Sequence, residues 1–129
     1  LASAFIDMKL HLAGPEPIDA DAFERHTLAG LNMPSQIVMR HRTPQFAHVF
    51  SGDGYSAGYY SYLWSDSLTA DAAEAFNEAS GMYDPGVAAK LVEHILSTGG
   101  TVDEAEAFRA FRGRDVSTDA LLRKRGFAE

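Results

Sequence analysis

Residues 54–64 read Gly-Tyr-Ser-Ala-Gly-Tyr-Tyr-Ser-Tyr-Leu-Trp and open the longest helical pattern in the chain. The spacing of apolar and aromatic residues predicts a helix that begins at about Tyr55 and continues towards Leu68. On such a helix Tyr55, Tyr59 and Tyr62 occupy positions i, i+4 and i+7, so the three phenols share one face. The same period recurs on both sides of this stretch, which predicts an all-α fold.

The N-terminal run of residues 1–13 predicts the first helix. Four apolar residues recur there at helical spacing: Leu1, Phe5, Met8 and Leu12. The prolines at positions 15 and 17 cannot continue a helix, so this one should end near Ala13. Because the chain opens on a leucine inside a helical run, we expect it to be a piece of a longer protein.

A second helix is predicted to follow these prolines. Asp19 or Asp21 is a suitable N-cap, because a carboxylate accepts hydrogen bonds from the free N–H groups of a first helical turn. Gly30 should close this helix as a C-terminal glycine. Residues 32–50 contain two prolines and no sustained helical period, so we expect irregular chain there with at most a brief extended piece.

The C-terminal half contains three signals for helix starts. Asp84-Pro85 places a capping aspartate before a proline at the first helical position, and that helix should stop at Gly99-Gly100. Residues 101–104, Thr-Val-Asp-Glu, match a capping box, and Ser117 is a candidate cap for the last helix. The helix that follows the capping box carries Phe108 and Phe111 on one face and should end at Gly113.

The composition favours one globular unit that binds neither nucleic acid nor membrane. The 129 residues are 46% hydrophobic, enough for a sizeable core, and no linker divides them. A formal net charge of -7 offers no positive field to phosphates or to an anionic membrane surface. The chain has no cysteine, which excludes disulfides and thiolate metal sites and makes the cytoplasm the default compartment.

The row of tyrosines has two interpretations. A phenol combines an apolar ring with an O–H that needs a partner when it is buried, so the row could lie at the boundary of a core. The same O–H, held rigidly in a cleft, can donate to an oxyanion or a peptide carbonyl. The residues alone favour the core boundary over the catalytic surface.

Histidines and arginines provide the other candidate polar groups. The five histidines lack the i, i+4 spacing of a helical metal site, and there is no His-Glu-x-x-His, so this chain should not hold zinc by itself. His48 precedes the glycine-rich turn at residues 51–54 and could face the tyrosines. Three arginines near the C-terminus could each bind a substrate carboxylate through two hydrogen bonds or could simply be solvated: Arg109, Arg112 and Arg114.

The sequence from Phe46 to Ser65 closely resembles a segment of the thimet oligopeptidase, oligopeptidase A and peptidyl-dipeptidase Dcp family of zinc metallopeptidases. The resemblance extends to Ile95–Gly100, to residues 108–115 and to residues 121–127, so it covers essentially the whole chain. It implies that residues 1–129 are a C-terminal part of a peptidase catalytic domain. It also implies that the zinc-binding helices and the general base lie upstream of Leu1.

The same resemblance implies roles for individual residues. By this resemblance, Tyr62 and Tyr55 stabilise the tetrahedral intermediate. His48, Tyr59 and Gly54 bind the substrate. The implied parent is a zinc enzyme that hydrolyses peptide bonds in short peptides, and its partners are those peptides and the rest of its own catalytic domain. We expect the isolated piece to be inactive. A second reading remains open: a non-enzymatic helical module that binds peptides or proteins through its tyrosines, which are enriched at interfaces.

Overall fold

The computed structural model describes all residues 1–129 and contains helices but no strand, which confirms the all-α prediction. Short 3-10 turns lie at Thr43–Gln45 and Asp53–Tyr55, and there is a π-helical turn at Val92–Leu96. No helix is both long enough and apolar enough to cross a membrane. The seven α-helices are α1 (Ala2–Leu12), α2 (Ala20–Gly30), α3 (Ala47–Phe50), α4 (Ser61–Glu78), α5 (Pro85–Leu91), α6 (Glu104–Arg112) and α7 (Asp119–Lys124).

The chain divides into two compact units, Leu1–Leu63 and Trp64–Glu129. The division falls inside α4. The sequence has no linker rich in glycine, proline or serine at this division, because the residues on both sides of it belong to α4.

The first unit is built around a small apolar core. Its fully buried residues come from α1, α3 and the irregular segment between α2 and α3. Helix α1 ends near Ala13 as predicted, but the apolar residues that indicated it are not the ones that are buried: Leu1 and Leu12 are 78% and 75% exposed while Ile6 and Asp7 are completely buried. A buried aspartate is tolerated only with hydrogen-bond partners, which are described with the site below. The core residues are Ile6, Met39, Phe46 and Val49, with Leu10, Phe23, Leu28 and Tyr59 packed against them.

Helix α2 begins as predicted and ends differently. Asp19 is the N-cap, and its Oδ1 accepts the Ala22 N–H at 2.9 Å. The prediction for Gly30 is wrong, because the helix includes it and the left-handed residue is Asn32, with φ of 53°. Asparagine is one of the few residues that adopt this conformation readily. The expected extended piece in residues 32–50 is also wrong, since a 3-10 turn and α3 take its place.

The second unit packs α6 against α5 and its π-helical extension. Phe108 and Phe111 are buried with their rings 6.2 Å apart in an edge-to-face contact, as their spacing predicted. Asp84 caps α5 by accepting the N–H groups of Gly86 and Val87, which confirms that helix start. The remaining apolar contacts come from Leu68, Ala72, Ala75, Val87, Leu91, Ile95 and Val116.

Two of the predicted caps in this unit need correction. The capping box is wrong: Asp103 caps α6, and its Oδ1 accepts two N–H groups at 3.0 Å. Thr101 donates its hydroxyl instead to the Thr98 carbonyl at 2.6 Å. A carboxylate accepts more strongly than a hydroxyl, which explains why the helix starts at the aspartate. Ser117 does accept the Asp119 N–H at 3.1 Å, although Thr118 occupies the N-cap position.

Arg109, Arg112 and Arg114 are all paired within this chain. Asp71 is completely buried in α4 and accepts hydrogen bonds from Arg112, from Arg114 and from the Ser117 N–H. Arg112 also binds both carboxylate oxygens of Glu78 at 2.8 and 2.9 Å. Arg109 pairs with Asp115 on the surface. These partners favour a structural role for the arginines over the binding of a substrate carboxylate.

This cluster of charges predicts a loss of stability in acid. Burial opposes ionisation of Asp71, but hydrogen bonds from Arg114 and Ser117 and the charge of Arg112 outweigh it and lower the pKa of the carboxyl. The Arg112 hydrogen bond likewise lowers the pKa of Glu78. A lowered folded pKa gives stability that is complete above the unfolded value of about 4 and disappears as the pH falls through the folded pKa.

We therefore expect the urea midpoint of unfolding to stay level above about pH 5 and to fall steeply below about pH 4. The Asp71→Asn variant should lose part of that slope, because its side chain no longer takes up a proton on unfolding. Equal acid slopes for the wild-type and variant chains would contradict the role of Asp71.

Candidate functional site

The structure brings His48 together with the three tyrosines that the sequence singled out. The His48 ring centroid lies 4.5 Å from that of Tyr55, 5.5 Å from Tyr59 and 5.8 Å from Tyr62. Tyr55 and Tyr62 stack with nearly parallel rings, 5.8 Å apart. Tyr59 packs against Tyr62 on one side and against buried Phe46 on the other. We call His48, Tyr55, Tyr59 and Tyr62 the aromatic cluster.

A turn, and not the face of one helix, assembles the aromatic cluster. The prediction of a helix from Tyr55 is wrong, because α4 begins only at Ser61. Tyr55 ends a 3-10 turn, and Ala57 adopts a left-handed backbone with φ of 55°. For a residue with a side chain this conformation costs about 1–2 kcal/mol, so other contacts must hold it.

Those contacts come from Asp7, on α1. Its Oδ1 accepts the Ala57 N–H at 3.0 Å and its Oδ2 accepts the Tyr59 N–H at 2.9 Å. The partner of the two N–H groups lies 50 residues away in sequence, which explains why local periodicity predicted a helix here. Asp7 was not among the residues that the sequence singled out. The feature that could have pointed to it is a lone carboxylate within the mostly apolar run of residues 1–13.

A second anchor holds the beginning of the same turn. The Ser56 hydroxyl donates to the Val49 carbonyl at 3.0 Å, which ties the turn to the short helix that carries His48. Val49 itself is completely buried. The histidine and the first tyrosine are therefore fixed to one core through neighbouring residues.

The hydroxyl of Tyr62 is at the centre of the polar contacts in the cluster. Its Oη lies 3.0 Å from His48 Nε2, and the direction of this hydrogen bond depends on the tautomer of the histidine. A hydrogen bond with Tyr55 raises the pKa of Tyr62, and desolvation and the neighbouring phenols raise it further. At neutral pH the Tyr62 hydroxyl therefore keeps its proton and can act as a hydrogen-bond donor.

The cluster is open to solvent on one side. Tyr55 and Tyr62 are 41% and 42% exposed, and His48 is exposed as well. Two phenol hydroxyls and an imidazole therefore point to a surface that another molecule can reach. Gly54 lies beside them, and a side chain at this position would meet nothing within 4 Å. Its role in substrate binding stays a prediction.

The residues of this chain do not fit the zinc that the family resemblance implies. No group of three or more histidine, cysteine, aspartate or glutamate side chains is placed to hold a metal ion. The only neighbours of His48 in the cluster are phenols, whereas zinc prefers histidine, cysteine and carboxylate ligands. His11 contacts Asp7, whereas His41 stacks on Phe46 and meets the ring of Tyr59 edge-on at 5.8 Å.

Comparison with known proteins gives named relatives across the chain. Oligopeptidase A of Haemophilus influenzae is 47% identical over 81 residues, which cover 63% of this chain and 12% of that protein. Dipeptidyl carboxypeptidase of Escherichia coli is 38% identical over 130 aligned residues, which cover 98% of this chain and 19% of that protein. The organellar oligopeptidase A of Arabidopsis thaliana is 37% identical, with 98% of this chain and 16% of that protein covered.

The chain therefore spans less than a fifth of the length of these relatives. The sequence model of one peptidase family matches it from residue 2 to residue 127, which includes the whole aromatic cluster. On that match, the chain belongs to Peptidase family M3.

Proposed function

We propose that this chain is the part of a zinc-dependent oligopeptidase or peptidyl-dipeptidase that binds short peptides and stabilises the transition state of their hydrolysis. The observation that carries the proposal is the Tyr62 hydroxyl, held 3.0 Å from His48 Nε2 within a cluster of phenols, in a chain of Peptidase family M3. The names of its relatives, oligopeptidase A and dipeptidyl carboxypeptidase, support a substrate class of peptides.

Tyr62 and Tyr55 would act on the carbonyl of the peptide bond that is cleaved. As that carbon becomes tetrahedral, its oxygen gains negative charge, and a fixed O–H donor stabilises this charge more than that of the ground state. Tyr62 is the first candidate, because its side chain is partly open to solvent and its hydroxyl lies 3.0 Å from His48 Nε2. Tyr55 stacks against it and is the second candidate.

His48, Tyr59 and Gly54 would bind the peptide and hold the donors in place. Tyr59 is the most buried of the three cluster tyrosines and packs on Phe46, so its ring supports Tyr62 from the core side. His48 contacts all three phenols and can exchange a hydrogen bond with Tyr62 or with substrate. Gly54 leaves open space beside Tyr55 for a peptide backbone.

The remaining parts of the site would come from a longer polypeptide. We propose that residues 1–129 belong to a larger peptidase catalytic domain, whose other residues supply the zinc ligands and the general base. Leu1, and Phe5 and Leu12 of α1, support this, because they are exposed apolar side chains at helical spacing and an exposed apolar patch commonly marks a contact with further protein. The cytoplasm stays the predicted compartment of this polypeptide, as the absence of cysteine suggested.

The experiment that tests the proposal compares the full-length protein with the 129-residue chain. We expect the full-length protein to cleave a short fluorogenic peptide, to lose this activity with a chelator and to regain it with added zinc. A full-length protein that cleaves no short peptide would contradict the proposed reaction.

The isolated chain should behave differently in the same assay. We expect neither hydrolysis nor tight zinc binding, because its polar cluster lacks a set of metal ligands. Calorimetry with zinc measures the binding, and the fluorogenic peptide measures the hydrolysis. Chelator-sensitive cleavage by the chain alone would show that it contains a metal site of its own and would overturn this assignment.

A further inference from the structure

Asp7 links α1 to the turn that carries the tyrosines. Its carboxylate is completely buried and divides its two oxygens between the Ala57 and Tyr59 N–H groups, at 3.0 and 2.9 Å. His11 Nδ1 lies 2.8 Å from the main-chain carbonyl oxygen of Asp7 and 3.0 Å from its Oδ1. The two N–H groups flank Gly58, so each oxygen fixes one side of the turn.

The turn needs this support from outside. Its own backbone hydrogen bonds run from the Gly58 N–H to the Tyr55 carbonyl and from the Ser61 N–H to the Gly58 carbonyl. Neither of them uses the N–H of Ala57 or of Tyr59, and Ala57 is left-handed without being glycine. Without Asp7 these two donors would lose their partners, and the strained residue would be free to relax.

We propose that Asp7 is a positioning residue for the catalytic tyrosines, an inference that rests on the proposed function. Tyr55 precedes the turn, whereas Tyr59 and Tyr62 follow it, so the geometry of the turn sets the 5.8 Å stacking of Tyr55 on Tyr62. Asp7 acts only through the backbone and reaches no ring of the cluster. A carboxylate suits this position because both of its oxygens accept, whereas an amide would turn an NH2 group towards one of the N–H donors.

The test uses Asp7→Asn in the full-length peptidase, with Glu24→Gln as its matched control. Glu24 is also a buried carboxylate of the first unit; it accepts the N–H and the hydroxyl of Thr43 and pairs with Arg42, and neither partner belongs to the aromatic cluster. We expect Asp7→Asn to lower kcat by about 10- to 100-fold with little change in KM, since misplaced groups lose rate more than binding. Glu24→Gln should keep kcat per folded molecule. Equal kcat values for the two variants would contradict the proposal.

A double-mutant cycle separates positioning from a general loss of structure. If Asp7 acts through the tyrosine hydroxyls, Asp7→Asn should cost less than about threefold in kcat once Tyr55 and Tyr62 are both phenylalanine. The same fold-loss in both backgrounds would show that Asp7 acts elsewhere and would overturn the proposal.

Hydrogen exchange of the wild-type full-length protein tests the anchor without a variant. The Ala57 and Tyr59 amides lie outside any helix, yet they should exchange slowly because Asp7 holds them. Fast exchange at both amides would overturn the anchoring even if Asp7→Asn failed to fold. Failure of the proposed function is distinct from this, since it would appear as a full-length protein without peptidase activity whose two amides are still protected.

Discussion

Replacing Tyr62 by phenylalanine in the full-length peptidase should lower kcat by about 100-fold or more and leave KM nearly unchanged. The substitution removes one oxygen and its hydrogen bond with His48 but keeps the ring, so the ring contacts with Tyr55, Tyr59 and His48 can persist. The lost hydroxyl would donate mainly to the oxygen that gains charge in the transition state. Steady-state kinetics on one fluorogenic peptide measures both constants.

Tyr60→Phe is the matched control for this prediction. Tyr60 is about as exposed as Tyr62 and also loses a phenol hydroxyl, but it makes no ring contact within the aromatic cluster. Its kcat should stay within about twofold of the wild-type value. If Tyr62→Phe retained full turnover, or if both variants lost the same amount, the Tyr62 hydroxyl would have no special part in the reaction.

Replacing Asp71 by alanine should destabilise the second unit by about 3–5 kcal/mol, the usual cost of removing one partner of a buried ion pair. Arg112 keeps only 6% of its side chain exposed and would retain Glu78 as its sole carboxylate partner. Arg114 and the Ser117 N–H would lose their shared acceptor. Urea denaturation followed by circular dichroism measures the change.

Asp66→Ala provides the comparison, because Asp66 also lies on α4 and pairs with an arginine, Arg125, at 2.6 Å. Both side chains of that pair are about half exposed, so its loss should cost no more than about 1 kcal/mol. A change at Asp71 as small as the one at Asp66 would contradict the view that the buried carboxylate organises this unit.

The sequence predicted those features of the fold that depend on neighbouring residues. Asp19 and the pair Asp84-Pro85 start helices where expected, because an N-cap acts within a single turn of the backbone. Phe108 and Phe111 pack together because a helix brings residues at this spacing onto one face. In each case the deciding contact lies within four residues.

Features that depend on distant residues could not be predicted in this way. The start of α4 shifts from Tyr55 to Ser61 because Asp7 binds the Ala57 and Tyr59 N–H groups and Ala57 is left-handed, a conformation that a right-handed helix does not contain. The face of α1 that is buried depends likewise on packing against distant residues such as Met39, Phe46 and Val49, which the spacing of its own apolar residues does not reveal.

The structure brings His48 and the three tyrosines together, but the way in which they meet was not predicted. His48 does face the tyrosines, as its place before the glycine-rich turn suggested. The phenols meet through a strained turn, however, and that turn is held by Asp7, a carboxylate far from the tyrosines in sequence. Local spacing singled out the tyrosines, the family resemblance suggested their roles, and the tertiary structure shows the side chains that hold their turn.

A crystal structure of the full-length protein with a peptide analogue that mimics the tetrahedral intermediate tests the central claim most directly. We predict that the hydroxyls of Tyr62 and Tyr55 lie about 2.7–3.1 Å from the oxygen that represents the oxyanion. His48 should line the same cleft. An analogue bound with its oxyanion turned away from the aromatic cluster, or held by donors outside residues 48–62, would contradict the account.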